Sequence, residues 1–307
     1  MRKRATVFCM SVVLIALSLM VAQSQDLATG PLTISAKKQY PWDNPLHSEL
    51  AINGKTVNIY SSDTSEPVAE HFKEGWNTIT IKTTPQEPAT KSNGLTFLIG
   101  PIKETPDRKQ KVMTPVLWEF RNDTDWKFAD GKYSHPLGPD VKEVTLSYSV
   151  YYGGMQHENA KIKAGDFVLT AKPYFADVSR AHGSWNSPVT ATAFVNGTVL
   201  NTWMIVARDV VITSLLKQGK NEIKLVSTRV KNSIRANDIV FQVLGPAEWN
   251  VTKGEYVLPA VVEFKGMEGW IRDSKSGQLV HPSKPASETV ERTIPFFLKE
   301  APKVAEK

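Results

Sequence analysis

The 307-residue sequence predicts an all-β protein built from two tandem antiparallel β-sandwich domains. Short segments that alternate polar and apolar residues recur along the chain, turn residues separate them, and no long amphipathic helix is indicated. The segment 188–226 also recurs in weaker form at 45–82, which indicates an internal duplication. Seven or eight short strands per copy are typical of a sandwich, with jelly-roll and immunoglobulin-like topologies both open.

The strands of each copy are predicted from this alternation. In the first copy they lie at 32–37, 49–53, 56–60, 77–82, 95–99, 114–120 and 144–152. In the second copy they lie at 167–175, 190–195, 198–206, 221–226, 238–244, 256–264 and 289–298. The segment VVITSLLK at 210–217 is too short for a long helix and predicts a strand end that runs into one helical turn.

Matching landmarks support the duplication. Asn53-Gly54 and Asn196-Gly197 are separated by 143 residues, and each supplies the positive φ angles that a tight hairpin turn requires. Other pairs, from Trp42 with Trp185 to His135 with His281, keep offsets of 143 to 146 residues. We therefore predict one domain at 31–153 and a second at 166–298. A linker at 154–165 joins them, and a charged, disordered tail follows at 299–307.

The first 24 residues are typical of a secretory signal peptide, and a short linker at 25–30 follows it. Arg2, Lys3 and Arg4 precede a short apolar run, and Ala22-Gln23-Ser24 places small residues where a signal peptidase cleaves. A retained membrane anchor is the alternative, but the apolar run is short for a span. The sequence thus predicts a secreted or periplasmic protein of the bacterial cell envelope that has no membrane span after cleavage.

Charge and cysteine content exclude several classes of function. Cleavage would remove three cations and no acid, so the formal charge of +6 would fall to +3, which argues against nucleic-acid binding. The only cysteine, Cys9, lies in the signal segment. Disulfides, thiol catalysis and cysteine-ligated zinc are therefore not expected in the mature chain, which must rely on its hydrophobic cores.

The second copy resembles a galactose-binding-domain-like jelly roll of the kind attached to glycoside hydrolases. The resemblance rests on FVNGT followed by DVVITSLLKQGKNEIKLV, with Asp209, Leu216, Gly219, Asn221 and Ile223 at matching places. The first copy keeps only the Gly-x-Asn-x-Ile ending. About 35 residues per copy carry the resemblance, which implies a non-catalytic accessory domain that binds carbohydrate.

Four tryptophans in loops are the candidate ligand contacts. Trp42 and Trp185 precede the Asn-Gly strand of each copy, whereas Trp126 and Trp270 follow a later strand. Aromatic faces stack on sugar rings while polar side chains bond the hydroxyls. The polar and aromatic neighbours that could complete such a site are Asp130 and Tyr133 in the first copy, with Arg272 and Asp273 in the second. The alternative is that the tryptophans cap the two cores, which favours a structural or protein-interaction module of the envelope.

Catalysis and cofactors find little support in the sequence. His135 and His281 each precede a proline and are expected to form turns, and Glu119 and Glu263 are expected at solvent-facing or edge positions. No catalytic motif is present, so an enzyme acting on polysaccharide is the third hypothesis. No cofactor is expected; calcium bound by loop carbonyls is the one metal left open. The expected partner is carbohydrate or an envelope protein, and the oligomeric state is not predicted.

Overall fold

The computed structural model describes residues 31–105, 107, 111–153, 162–174, 187–204, 208–235 and 237–302. The predicted signal peptide, most of the predicted linker and Trp185 lie outside these residues. The described part is all-β, as predicted, and its sheets are antiparallel. None of its helices is long and apolar enough to cross a bilayer.

The first sandwich contains two sheets. One has the strand order β4-β1-β6-β8, with β7 also paired to the end of β6, and the other has the order β11-β5-β2-β3. A separate hairpin joins β9 and β10. The strands are β1 (Leu32–Lys38), β2 (Leu46–Ile52), β3 (Lys55–Tyr60), β4 (Thr64–Pro67), β5 (Gly75–Pro85), β6 (Leu95–Glu104), β7 (Lys111–Met113), β8 (Trp118–Arg121), β9 (Lys127–Ala129), β10 (Lys132–Ser134) and β11 (Val144–Tyr152).

The second sandwich repeats this order. Its sheets are β15-β12-β17-β20 and β14-β13-β16-β23, and two further hairpins join β18 with β19 and β21 with β22. The strands are β12 (Val168–Tyr174), β13 (Val189–Val195), β14 (Thr198–Trp203), β15 (Arg208–Val211), β16 (Gly219–Arg229), β17 (Asp238–Leu244), β18 (Glu248–Asn250), β19 (Glu255–Val257), β20 (Ala260–Lys265), β21 (Ile271–Arg272), β22 (Leu279–Val280) and β23 (Thr289–Leu298).

Each core lies between two sheets whose strands alternate buried and half-exposed side chains. In β11 the buried residues are Val144, Leu146, Tyr148 and Val150, which is the alternation that the sequence indicates. They pack with residues from β1, β5 and β6 in one cluster, and a second cluster of the same kind fills the other sandwich. Apolar burial by both sheets is therefore what holds each sandwich closed.

Several predicted strands are longer in the structure, as β5, β6 and β16 are, and two are shortened or divided. The segment predicted at 114–120 is a strand only from Trp118, and the segment at 256–264 divides into β19 and β20. Pro259 lies between those two strands, and a proline has no N–H to donate to a sheet ladder. The segment at 210–217 is as predicted, since β15 ends at Val211 and a 3-10 turn follows at Thr213–Leu215.

The Asn-Gly turns occupy equivalent corners of the two sandwiches. Asn53 has a φ of 52° and Asn196 a φ of 47°, as a tight hairpin turn requires. The side chain of Asn53 donates to the carbonyl of His71 (2.9 Å) and accepts from the N–H of Thr78 (3.0 Å). The Asn196 side chain makes the same two bonds in its own sandwich, at 2.7 and 3.0 Å. The duplication itself stays a prediction, supported by this repeated geometry.

A second asparagine completes each corner. Asn77 accepts from the Asn53 side chain (2.8 Å) and the Lys73 N–H (3.0 Å), and donates to the carbonyls of Lys73 and Gly75. Asn221 has the equivalent four bonds, the first of them with Asn196. Both side chains are buried, so these bonds replace water that cannot reach them.

We expect Asn77→Ala and Asn221→Ala each to lower the free energy of unfolding by about 2 kcal/mol, because each removes the four hydrogen bonds made by a buried side chain. Urea unfolding of the purified protein measures this loss. Asn58→Ala is the control: Asn58 bonds Glu66 on the exposed surface, and its loss is expected to cost less than about 0.5 kcal/mol. Equal effects at Asn58 and Asn77 would contradict the role assigned to the corner.

The two sandwiches contact each other through the edge of β11 that is not paired with β5, where Ser147 also forms a β-bridge with Lys231. The Tyr151 N–H donates to Thr202 Oγ1 (2.9 Å), and the Thr145 carbonyl accepts from Asn232 Nδ2 (2.8 Å). Asp125 of the first sandwich pairs with Arg235 of the second, with 2.7 Å between Oδ1 and Nε. The contact thus combines hydrogen bonds between the β11 backbone and side chains of the second sandwich with an ion pair whose carboxylate is buried.

Candidate functional site

The loop between β1 and β2 is fixed by one buried side chain, that of Asn93. Its Nδ2 donates to the carbonyls of Tyr40 (3.2 Å) and Trp42 (2.8 Å), and its Oδ1 accepts from the Tyr40 N–H (3.2 Å). Asn93 is only 2% exposed, so water does not compete for these bonds. The loop is therefore held in one conformation at this end of the first sandwich.

This loop presents two stacked aromatic rings to solvent. The rings of Tyr40 and Trp42 are parallel, with 4.7 Å between their centroids and 4° between their planes. Tyr40 is 51% exposed and Trp42 is half-buried. Trp42 Nε1 donates to the Ser92 carbonyl (3.1 Å), and Lys91 Nζ lies 4.9 Å from the Trp42 ring centroid. The result is a rigid aromatic surface with a cation beside it, which we call the Tyr40–Trp42 surface.

Polar groups continue this surface on the Gln39 side. The Arg121 guanidinium donates through Nε and an Nη to the two carboxylate oxygens of Asp123, at 2.9 and 2.7 Å, and also to Gln39 Oε1. Asp43, on the other side of Trp42, is exposed. Fixed polar groups next to an aromatic face are what a hydroxyl-rich ligand requires.

Tyr133 and Trp126, which the sequence placed among the ligand contacts, lie beneath this loop. The Tyr133 hydroxyl bonds the backbone N–H and carbonyl of Asn93 (3.1 and 3.2 Å), and its ring is 6.3 Å from that of Trp126. Each is 9% exposed, and Trp126 also contacts His135, with 5.0 Å between ring centroids. Their rings therefore belong to the core, and Tyr133 supports the Tyr40–Trp42 surface through Asn93.

Asp130 lies in the hairpin turn between β9 and β10. It is exposed and has a φ of 50°, and Gly131 follows it with a φ of 77°. The Gly131 carbonyl accepts from the Ala89 N–H (3.4 Å), which ties this hairpin to the loop that carries Lys91. Asp130 thus shapes the turn, which explains its residue type, since aspartate tolerates a positive φ.

The predicted residues of the second sandwich stabilise its own loops. Trp270 is 8% exposed and packs with Val189, Leu279 and Val290. The Arg272 guanidinium donates to the carbonyls of Ile234 (3.0 Å), Arg235 and Gly277, which holds the segment that meets the first sandwich.

Asp273 closes a turn on the surface of the second sandwich. Its Oδ2 accepts from the N–H of Ser276 (2.8 Å) and from the Ser276 hydroxyl (2.6 Å), and these bonds hold its pKa below the ordinary value. Trp185, the fourth predicted tryptophan, is outside the described residues.

His135 and Glu119 are the titratable groups that a catalytic hypothesis would use, and burial shifts the pKa of each so that its neutral form is favoured. Burial, with a smaller contribution from the charge of Arg235, lowers the pKa of His135 to about 4, so its imidazole is neutral near pH 7. Burial raises the pKa of Glu119, which Arg121 partly opposes. Across the described ranges, no cluster of three or more His, Cys, Asp or Glu residues could hold a metal ion.

Sequence reasoning missed a second exposed aromatic pair, on the β18–β19 hairpin. Trp249 and Tyr256 lie opposite each other, with 5.1 Å between ring centroids, and Trp249 is 54% exposed. Close to this hairpin is a cavity of about 630 Å³ whose lining includes Glu248, Val261 and Phe297. In the sequence, two short segments that alternate polar and apolar residues flank Lys253-Gly254. This pattern predicts a hairpin with both rings on one face.

No protein-family model, no curated protein and no solved structure matches this chain.

Proposed function

We propose that this protein is an exported, non-catalytic carbohydrate-binding protein, and that the Tyr40–Trp42 surface binds the sugar. The observation that carries the proposal is the exposed, stacked ring pair held in place by buried Asn93. The exposed Tyr40 face offers the flat π surface against which the C–H groups of a pyranose pack. Lys91 and Asp43 supply charged groups for the hydroxyls.

The Tyr40–Trp42 surface is preorganised for binding. The rings are fixed before any ligand arrives, so binding would order few side chains and would lose little conformational entropy. The predicted secretory signal and the resemblance of the second sandwich to galactose-binding-like domains support the same ligand class. Both remain inferences from the sequence.

The test is a glycan array followed by titration calorimetry with the purified protein. Trp42→Ala and Tyr40→Ala are each expected to weaken sugar binding about 30-fold, the effect of losing about 2 kcal/mol of aromatic contact. Trp249→Ala is the matched control, an exposed aromatic in the other sandwich that should leave affinity unchanged. Failure of the wild type to bind any glycan would refute the proposal, as would a loss of affinity in Trp249→Ala alone.

A structural or protein-interaction module of the cell envelope is the second candidate. The burial of Trp126 and Trp270 favours it, since both tryptophans cap cores instead of meeting solvent. Two strongly exposed apolar side chains also favour it, namely Ile59 (64% exposed) and Phe297 (68% exposed). Absence of glycan binding together with association between protein molecules would select this candidate.

A further inference from the structure

The contact between the two sandwiches is made by different surfaces on each side. On one side is the free edge of β11, with Tyr151, whose ring lies 6.2 Å from that of Phe194. On the other side is the outer face of β13 and β14, where Thr192 and Thr202 bond each other (2.7 Å) and are nearly fully buried. The Tyr151 N–H donates to Thr202, so these two residues mark the contact.

Each sandwich also has a counterpart of the surface that the other one uses. In the shared strand order, β23 of the second sandwich takes the place of β11, and β2 and β3 of the first take the places of β13 and β14. Tyr151 pairs with Trp76, the second residue of β5, and Phe297 pairs with Lys220, the second residue of β16. Phe297 is therefore the counterpart of Tyr151.

The counterpart of Thr202 follows from the same register. Thr202 lies opposite Thr192, and Ile59 lies opposite Glu49. Both are the fifth residue of their strands, β14 and β3. Ile59 is thus the counterpart of Thr202 on the free face of the first sandwich.

These two counterparts are exposed apolar side chains. Phe297 is 68% exposed and Ile59 is 64% exposed, whereas Thr202 at the internal contact is 2% exposed. Phe297 has Lys220 as its cross-strand neighbour, and Ile59 has Glu49, so opposite charges flank the two apolar groups. Single exposed apolar residues are common, but these two occupy the positions equivalent to the two sides of a contact that the chain already makes within itself.

We propose that the protein associates head to tail with further copies of itself. The edge of β23 in one copy lies on the outer face of β2 and β3 in the next, with Phe297 against Ile59 and Lys220 beside Glu49. The apolar contact takes the place of the Tyr151–Thr202 hydrogen bond. A second copy of this chain is the partner that offers both surfaces, the β23 edge and the outer face of β2 and β3. Because the two surfaces differ, the interface is heterologous, and a dimer keeps one free surface of each kind, on different copies, at which further copies can add.

The composition of β23 fits packing on a face and not addition of a strand to its sheet. Pro295 has no N–H to offer a neighbouring strand, and Glu291 is held by Lys224 (2.8 Å). Proline and charge on an edge strand block edge-to-edge pairing. The edge can still lie across an outer face, as β11 does within the chain.

Sedimentation of the purified protein without sugar, from about 10 μM to about 1 mM, tests the proposal. The average mass of the wild type is expected to rise with concentration, and Phe297→Asp and Ile59→Asp are each expected to stay monomeric. Val251→Asp is the control, because Val251 is 85% exposed and lies on the β18–β19 turn. It should associate as the wild type does.

Mixing the two variants gives the sharpest result. Phe297→Asp keeps the Ile59 surface and Ile59→Asp keeps the Phe297 surface, so an equimolar mixture should form dimers that cannot grow further. Three results would overturn the proposal: a wild type that is monomeric throughout, either variant associating like the wild type, or a mixture without dimers. A loss of association in Val251→Asp would overturn it too.

Discussion

The Arg235→Met variant is expected to be about 4 kcal/mol less stable than the wild type near pH 7, because it leaves the Asp125 carboxylate buried without its cation. Only 5% of the Asp125 side chain is exposed, and its one described cation at salt-bridge distance is Arg235, at 2.7 Å. Burial raises the pKa of Asp125, and Arg235 is the main charge that opposes this rise. Urea unfolding of both proteins measures the difference.

The pH dependence of that loss follows from the sign of the pKa shift. A carboxyl whose folded-state pKa lies above its unfolded value of 3.8 destabilises the fold once the pH exceeds that value. Removal of Arg235 raises the Asp125 pKa further. The stability difference between the variant and the wild type should therefore shrink as the pH falls toward about 4. A difference that stays constant with pH would show that Arg235 contributes packing and not charge.

Two further variants separate the buried pair from ion pairs in general. Lys224→Met breaks an exposed bridge to Glu291 and is expected to cost less than about 1 kcal/mol. Adding Asp125→Asn to Arg235→Met removes the unpaired charge and should recover much of the loss. If Lys224→Met and Arg235→Met had equal effects, burial of the pair would not matter.

The fold could be predicted because local chemistry determines it. Alternation in 144–152, the Asn-Gly turns and the Gly-x-Asn-x-Ile endings act over a few residues, and the structure has strands and turns at each. The sequence did not predict the short strands β4, β7, β9, β10, β18, β21 and β22, because two to four residues carry too little periodicity to stand out. Pro259 lies inside the segment 256–264 that was predicted as one strand. A proline there already indicates that the strand is interrupted.

The contact between the sandwiches could not be predicted, because it joins residues that are far apart in the sequence. Thr192 and Thr202 would suit a solvated face equally well, and they are buried where β13 and β14 meet β11. Asp125 and Arg235 are separated by 110 positions, and neither has a local pattern that indicates its partner. The exposed position of Tyr40 depends on Asn93, whose side chain connects loops that the sequence does not relate.

His135 is expected to make the protein less stable in mild acid. Its pKa is about 4 in the folded protein against an ordinary value of 6.5, so the unfolded chain binds a proton where the folded one does not. The contribution of His135 to the free energy of unfolding is therefore highest above pH 6.5, where its imidazole is neutral in both states. It decreases by about 3 kcal/mol as the pH falls toward about 4, because each pKa unit corresponds to about 1.4 kcal/mol. Urea unfolding at several pH values between these limits measures the slope.

His135→Gln should flatten that slope, because glutamine does not titrate. Carboxyls with raised pKa values, such as Asp125 and Asp238, act in the opposite direction, so the comparison between variant and wild type isolates the histidine. His281→Gln changes the histidine of the corresponding turn in the second sandwich and leaves the contact with Trp126 intact. Parallel curves of unfolding free energy against pH for the wild type and His135→Gln would contradict this prediction. They would mean that His135 is protonated as easily in the folded protein as in the unfolded chain. That result is not expected, because burial disfavours the charged imidazolium and the nearby charge of Arg235 repels it.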